Sequence, residues 1–264
     1  MERKRTNAAI WVWTLFVLVV IYLPIACGAL ASFNKSRYFG LPIKTYATEW
    51  WQKTLDSIEI GMIVKTSISI ALLVTVFSVV IATFGALAFA RYDWKGRRLY
   101  QKLILLPIFF PQPVLGLAML LGFNAVGIQT SWMTAVFAHM VWIVPVVTLV
   151  IAIQVYGFDP SLEEAAYDLG CSRTQVFREV TLPLLWPGIW SGMLFAFLLS
   201  WSNFPLSLYT TGADSTIPEW LYAKMVAGYT PMVPALGTMA TLGAASLLLA
   251  GGLIGMLARR RAAA

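Results

Sequence analysis

Long apolar runs with almost no charge decide what this chain can become. Ala8 to Leu30, Leu103 to Phe123, Trp132 to Tyr156, Gly188 to Thr210 and Leu236 to Ala258 hold no Asp, Glu, Lys or Arg, and Met62 to Ala90 holds only Lys65. A helix of about 20 apolar residues crosses a hydrocarbon core about 30 Å thick, so each run is long enough to span. In lipid a lone segment must satisfy its own backbone hydrogen bonds, which selects helices. A mean hydropathy of +0.75 with 12% charged residues agrees, because a soluble globular chain carries about twice that share of charge. The expectation is an all-α integral membrane protein with six transmembrane helices, forming one transmembrane domain over residues 1–264.

The net charge of +7 raises nucleic acid as a partner, but such binding needs a basic face on a soluble module. Here the basic residues gather at the ends of the apolar runs, where they act as topology signals. With the amino terminus inside, thirteen Lys and Arg fall on the cytoplasmic side: Arg3 to Arg5, Arg91 to Lys102, Arg173 and Arg178, and Arg259 to Arg261. Six fall outside, namely Lys35, Arg37, Lys44, Lys53, Lys65 and Lys224. Both termini are therefore expected in the cytoplasm, with a lipid membrane and not nucleic acid as the surrounding partner.

The first run has a second reading. A basic start, an apolar stretch and Ala29-Leu30-Ala31 also match a cleavable signal peptide, and Pro24-Ile25-Ala26-Cys27 approaches a lipoprotein box. The run is long for a signal core and carries Trp11, Trp13 and Tyr22 near its ends, as an interfacial aromatic belt does, which favours a retained span. Between the first two spans, Ala31 to Gly61 reads as a loop with a surface helix around Trp50 and Trp51. Pro107, Pro111 and Pro113 remove backbone donors from the third span and should kink or break it, either as a packing kink or as a cavity wall. Cys27 and Cys171 are separated by several spans and imply no disulfide framework.

Gly157 to Pro187 has helical grammar but is too polar to span. Asp159-Pro160 suits an N-cap followed by proline at the first helical position, and Glu163 and Glu164 complement the positive end of the helix dipole. Leu162, Ala165, Ala166 and Leu169 recur at i, i+3, i+4 and i+7, a narrow apolar stripe. Gly170 supplies a left-handed stop. Ser172 and Gln175 have capping-box spacing for a second short helix, which presents Val176, Phe177 and Val180 and is expected to end before Leu182-Pro183.

Glu164-Ala165-Ala166, Gly170 and then Val180-Thr181-Leu182-Pro183 resemble the EAA loop of the membrane subunits of type I ABC importers, with Val180 where isoleucine is commoner. The resemblance implies the type I importer permease fold in a bacterial inner membrane. It implies that Leu162 to Leu169 is a coupling helix seated on a separate ATPase, with Leu162, Glu164, Ala165, Ala166, Leu169, Gly170, Leu182 and Pro183 as the coupling residues. It also implies a second permease subunit, a homologous heterodimer, and an external substrate-binding protein. No phosphate-binding loop pattern occurs in the chain, so ATP and Mg belong on the partner ATPase and this chain carries no cofactor and no catalytic residue of its own. The alternative reading of an amphipathic hairpin lying on the bilayer fits poorly, because the stripe carries alanines and not Trp, Phe or Lys.

More of the chain resembles the spermidine/putrescine branch of that superfamily. Ile21-Tyr22-Leu23-Pro24 with Ser32-Phe33-Asn34, the Arg91 to Arg98 turn, Leu106-Pro107, and His139 with Pro145 fall in the expected order. Where polyamine permeases carry acidic residues early in the fifth span, this chain reads Ser200-Trp201-Ser202-Asn203-Phe204. The cargo is left among polyamines, other small organic cations and zwitterionic amines. Gln112, His139, Trp201, Ser202 and Asn203 are the candidate pathway residues, since polar groups in apolar spans need partners. Each also has a structural reading: His139 as a strut between helices, Gln112, Ser202 and Asn203 as interhelical hydrogen bonds, Trp201 as packing. An ion-coupled secondary transporter is the alternative function, although the six runs contain no Asp or Glu for proton coupling. A membrane enzyme would need a nucleophile, base or metal cluster that one His and two distant Cys do not make.

Overall fold

The computed structural model describes residues 2–36, 40 and 42–262, so Arg37 of the charge count lies outside the described residues. Among the described residues the regular elements are helices: α1 (Glu2–Ser32), α2 (Glu49–Leu55), α3 (Ile58–Ala86), α4 (Arg97–Phe109), α5 (Gln112–Ala125), α6 (Trp132–Gly157), α7 (Ser161–Asp168), α8 (Arg173–Val176), α9 (Leu182–Trp201), α10 (Ser207–Thr210), α11 (Ile217–Ala227) and α12 (Met232–Ala262). Five helices among the described residues are long and apolar enough to cross a membrane, and six spans result if α4 and α5 count as one broken span.

That break falls where the prolines predict it. α4 and α5 meet at 101° across Phe110 and Pro111. Pro111 cannot continue the hydrogen-bond ladder of α4 and pushes Phe110 into an extended conformation, φ −82° and ψ 134°. Gln112 and Pro113 then open the first turn of α5, where a missing N–H costs nothing.

The fifth span departs from the sequence expectation at both ends. Instead of Gly188 to Thr210, the apolar helix runs from Arg173 to Trp201, and the second short helix does not stop before Leu182-Pro183. A π-turn at Phe177–Thr181 joins α8 to α9, and Pro183 sits in the first turn of α9, a position that tolerates proline. At the other end the helix stops at Trp201, because Pro205 disfavours helical geometry at Phe204 and the Oδ1 of Asn203 accepts the N–H of Leu206 at 3.1 Å, opening the separate turn α10. Ser202 and Asn203 therefore lie in a turn beyond the helix, not inside a span.

Two compact units divide the chain. One comprises the stretch ending at Gly61 with Leu221–Ala245. Within it Phe33 stacks on Trp51 at 5.2 Å, the indole of Trp51 donates to the Ser32 hydroxyl at 3.2 Å, and α2 forms where a surface helix was expected. The other comprises Met62–Trp220 with the stretch from Ser246. Its core joins α3, α6 and α9 through Ile70, Val74, Ile143, Val147, Ile151 and Leu185, all essentially without exposure. Close backbone approach sustains this packing, since lipid competes equally well for apolar side chains and leaves dispersion and small residues to hold helices together. The start of α6 is capped by the Asp214 carboxylate, which accepts the Trp132 N–H at 2.9 Å.

Candidate functional site

The polar segment after α6 builds as the local grammar requires. The Asp159 carboxylate accepts the Ser161 N–H at 3.0 Å. That hydrogen bond, helped by the Ser161 hydroxyl and the Arg91 guanidinium, holds the Asp159 carboxyl below its usual range. Pro160 already has helical dihedrals, φ −57° and ψ −30°, so Asp159 acts as the N-cap with proline first in the helix. At the far end Gly170 is left-handed at φ +87°, its N–H bonds Tyr167 O at 2.9 Å and the Cys171 N–H bonds Ala166 O at 3.1 Å. This is the paired terminus that needs a glycine beyond the last turn. Ser172 and Gln175 exchange their capping-box bonds at the start of α8.

The two faces of α7 differ sharply. Leu162 is 47% exposed and Leu169 86%, and Glu164, Ala165 and Gly170 are exposed while Ala166 is half-buried. Among the described residues the stripe is left largely uncovered at Leu162, Ala165 and Leu169 and is partly covered at Ala166. Glu163 points the other way and is buried, with its Oε2 accepting from Arg91 Nε at 3.0 Å and from Arg91 Nη2, and its Oε1 accepting from the Thr181 hydroxyl. Arg91 ends the helical turn after α3, lies over the Phe158 ring at 5.1 Å, and reaches Pro160 O at 3.5 Å. Behind it, Arg97 donates to Phe89 O and Ala90 O at 3.1 and 3.2 Å and Gln101 to Phe89 O at 2.7 Å, occupying carbonyls at the end of that helix.

Sequence reasoning placed Glu163 with the helix dipole and did not single out Arg91 or Thr181. No local signal marks these partners, since Arg91 stands 72 positions and Thr181 18 positions from Glu163. Leu182 and Pro183 start α9 directly after Thr181, so they belong to the joint between the loop and the span.

The remaining candidates cluster around the end of α9. His139, 1% exposed on α6, has Nδ1 2.9 Å from the Ser200 hydroxyl and Nε2 3.0 Å from the Ser207 hydroxyl. Ser207 donates its single hydrogen to Asn203 O at 2.7 Å, so it accepts from the imidazole, which is therefore the Nε2–H tautomer receiving the Ser200 proton at Nδ1. The ring ties α6 to α9 and α10, as a strut does. Asn203 is buried against the backbone it caps, and Ser202 is exposed with its hydroxyl on Leu198 O at 2.9 Å. Trp201 stacks on Phe197 at 5.8 Å. Gln112 is half-buried at the head of α5, whose Gly116 packs so closely on the turn that an added Cβ would lie 3.1 Å from Pro205 O. Among the described residues no group of three or more His, Cys, Asp or Glu is placed to hold a metal.

Comparison with known proteins places this arrangement. The family profile described as binding-protein-dependent transport system inner membrane component matches residues 78–262. The spermidine/putrescine transport system permease protein PotC of Haemophilus influenzae is 30% identical over 224 residues, covering 84% of this chain and 87% of that protein. The putrescine transport system permease protein PotI of Escherichia coli is 28% identical over 239 residues, covering 86% and 85%. A solved bacterial ABC transporter involved in the import of the acidic polysaccharide alginate superimposes with a TM-score of 0.71 over 95% of this chain and 96% of that chain, at 16% identity, a likeness of fold. The all-helical architecture is thus the type I importer permease fold, and neither the secondary transporter nor the membrane enzyme gains support. The chain belongs to the family of binding-protein-dependent transport system inner membrane components, and it is a multi-pass inner-membrane permease subunit of an ABC importer, a transport protein and not an enzyme.

Proposed function

We propose that this permease admits a small amine compound, of the polyamine class or a related organic cation, and is driven through the exposed stripe of α7. The observation that carries the coupling role is the outward face of α7: Leu162, Ala165 and, at its C-cap, Leu169 are exposed on a capped, anchored helix, with Ala166 half-buried beside them. Small alanines let another protein approach closely, and a rigid helix transmits a rigid-body displacement. Leu162, Glu164, Ala165, Ala166 and Leu169 meet the ATPase, Gly170 shapes the turn, and Leu182 and Pro183 pass the motion into α9. ATP and Mg are held by that ATPase. A single EAA loop serves one ATPase, so a second, homologous permease chain completes the importer and a periplasmic binding protein delivers the cargo. The whole chain acts as one transmembrane domain with residues 157–187 as its coupling segment, and both termini face the cytoplasm.

The amine cargo rests on relatives named for spermidine and putrescine. Gln112, Trp201 and Ser202 line the pathway, with His139 and Asn203 holding the turn from behind. Without a carboxylate in these helices, cargo recognition here relies on hydroxyl, amide and aromatic groups. The test is cargo-stimulated ATP hydrolysis by the complete importer in vesicles, after a binding-protein screen of amines and non-amines selects the cargo. Ala165→Trp should overfill a tight interface and lower stimulation at least roughly tenfold, the effect of about 1.4 kcal/mol. Wild-type stimulation in Ala165→Trp removes the stripe as the docking face, and a binding protein that prefers sugars or anions removes the amine.

A further inference from the structure

The face of α7 turned away from its apolar stripe carries a contact that the docking role leaves unexplained. Glu163 is a carboxylate with 8% exposure in an eight-residue helix whose other residues are exposed or, at Ala166, half-buried. Such a group is retained against its desolvation only with a charge partner and filled hydrogen bonds, and Glu163 has both. One oxygen takes two donors from Arg91, the other takes the Thr181 hydroxyl, and Thr181 itself is 2% exposed. The three residues come from three places: Arg91 from the end of the turn that continues α3, Glu163 from α7, and Thr181 from the π-turn that runs into α9. The contact therefore bridges the coupling helix to the ends of two long apolar helices at once.

We infer that Glu163 is a positioning residue for coupling, tying α7 through Arg91 to α3 and through Thr181 to α9, so that displacement of α7 moves both helices together. The inference rests on the proposal that α7 meets the ATPase. Covalent connection alone does not achieve this. The chain from α7 to α9 passes a glycine turn and a capping box, and the chain from α7 back to α3 passes through α4, α5 and α6. Phe158 and Pro160 support the same joint, since the Arg91 guanidinium lies over the ring of one and reaches the carbonyl of the other. The guanidinium is thus held on several sides, and lysine, with one ammonium, cannot reproduce the forked contact.

The test uses the complete importer in vesicles, with every rate normalised to the amount of assembled ATPase. Glu163→Gln keeps the shape and the Thr181 contact but removes the charge that holds Arg91. It should assemble, because the outward face of α7 is untouched, and should hydrolyse ATP at the basal rate while cargo stimulation falls roughly tenfold, within the range seen for residues that carry coupling. Arg91→Gln should do the same. The double variant Glu163→Gln/Arg91→Gln replaces the ion pair by two amides that can bond each other, and it should regain at least half of the lost stimulation. A purely architectural role would lower the yield of complex and leave stimulation per assembled complex unchanged. Wild-type stimulation in assembled Glu163→Gln complexes therefore overturns the inference, and so do losses in the double variant that equal the sum of the single losses. Ala165→Trp is measured in parallel: if it is unaffected while Glu163→Gln is uncoupled, the docking face is wrong and the tie stands.

Discussion

Replacing Gly188 by alanine should separate two helices that the fold needs in contact. Gly188, Gly192 and Ala196 recur every fourth residue on α9 and pack on α6, where Val147 and Ile151 are fully buried. A Cβ at position 188 would stand 2.7 Å from the Cβ of Gln154 and 3.7 Å from the Cα of Ile151. A Cβ moves only with its backbone, so no rotamer relieves this contact, and the Gln154 amide is further held by donation to Leu184 O at 3.1 Å. Position 192 is less severe, with Val147 Cγ1 at 3.0 Å and Ile151 Cγ1 at 3.2 Å, atoms that rotate. At Gly122 on α5 nothing lies within 4 Å. Overpacking costs about 1–3 kcal/mol, whereas glycine to alanine in an open helical site gains up to about 1 kcal/mol. Gly122→Ala should therefore be neutral or stabilising, Gly192→Ala mildly destabilising, and Gly188→Ala the worst, about 2 kcal/mol or more below Gly122→Ala. Unfolding of the purified chain in mixed micelles by increasing SDS, followed by circular dichroism, gives the order. Equal stabilities for Gly188→Ala and Gly122→Ala would refute the close-packing argument.

Three further outcomes follow from other parts of the chain. Gly170→Val should lower cargo-stimulated ATP hydrolysis, because a left-handed β-branched residue costs about 2 kcal/mol, while Gly170→Asn should retain most of it, and identical behaviour of the two would show that backbone strain is not the cause. His139→Leu should destabilise the chain by about 2 kcal/mol through the unpaired Ser200 hydroxyl, yet leave the transport KM for cargo within about twofold; a tenfold change in KM would make the imidazole part of the pathway. A reporter fused after Arg261 should be active only in its cytoplasmic form and one inserted at Lys44 only in its external form, and the reverse pattern would discard the orientation drawn from the basic residues.

The spans were legible because their signal is local: an uncharged run of sufficient length declares itself without knowledge of what it packs against. The caps of α7 and α8 were legible for the same reason, since Asp159, Gly170, Ser172 and Gln175 act within a few residues of where they stand. Pro111 announced the break in the third span, but not its 101° angle, which depends on where α5 packs. The limits of the fifth span were misplaced because hydropathy does not see a π-turn, and the stop at Trp201 comes from Asn203 and Pro205 after the apolar signal has continued past them. Long-range pairs were out of reach: Glu163 meets a residue 72 positions away, and His139 finds its serines 61 and 68 positions away.

These limits bear on the coupling role proposed for α7. α7 has eight residues, too few for a stable helix in isolation, where even favourable sequences need about 12–15. Its local grammar fixes where it begins and ends but does not make it stiff. Leu162 and Leu169 supply little of the missing stability, because they stay 47% and 86% exposed. What remains is the buried side, where Glu163 is the buried residue of the helix. A helix whose outer face is reserved for a partner must take its rigidity from the opposite face, and a single carboxylate with two oxygens can bond two elements at once where an apolar side chain could only lie between them. The cost of burying that charge is then the cost of keeping the outer stripe free. On the docking proposed for α7, the buried Glu163 should therefore matter to coupling as much as the exposed residues that would meet the ATPase.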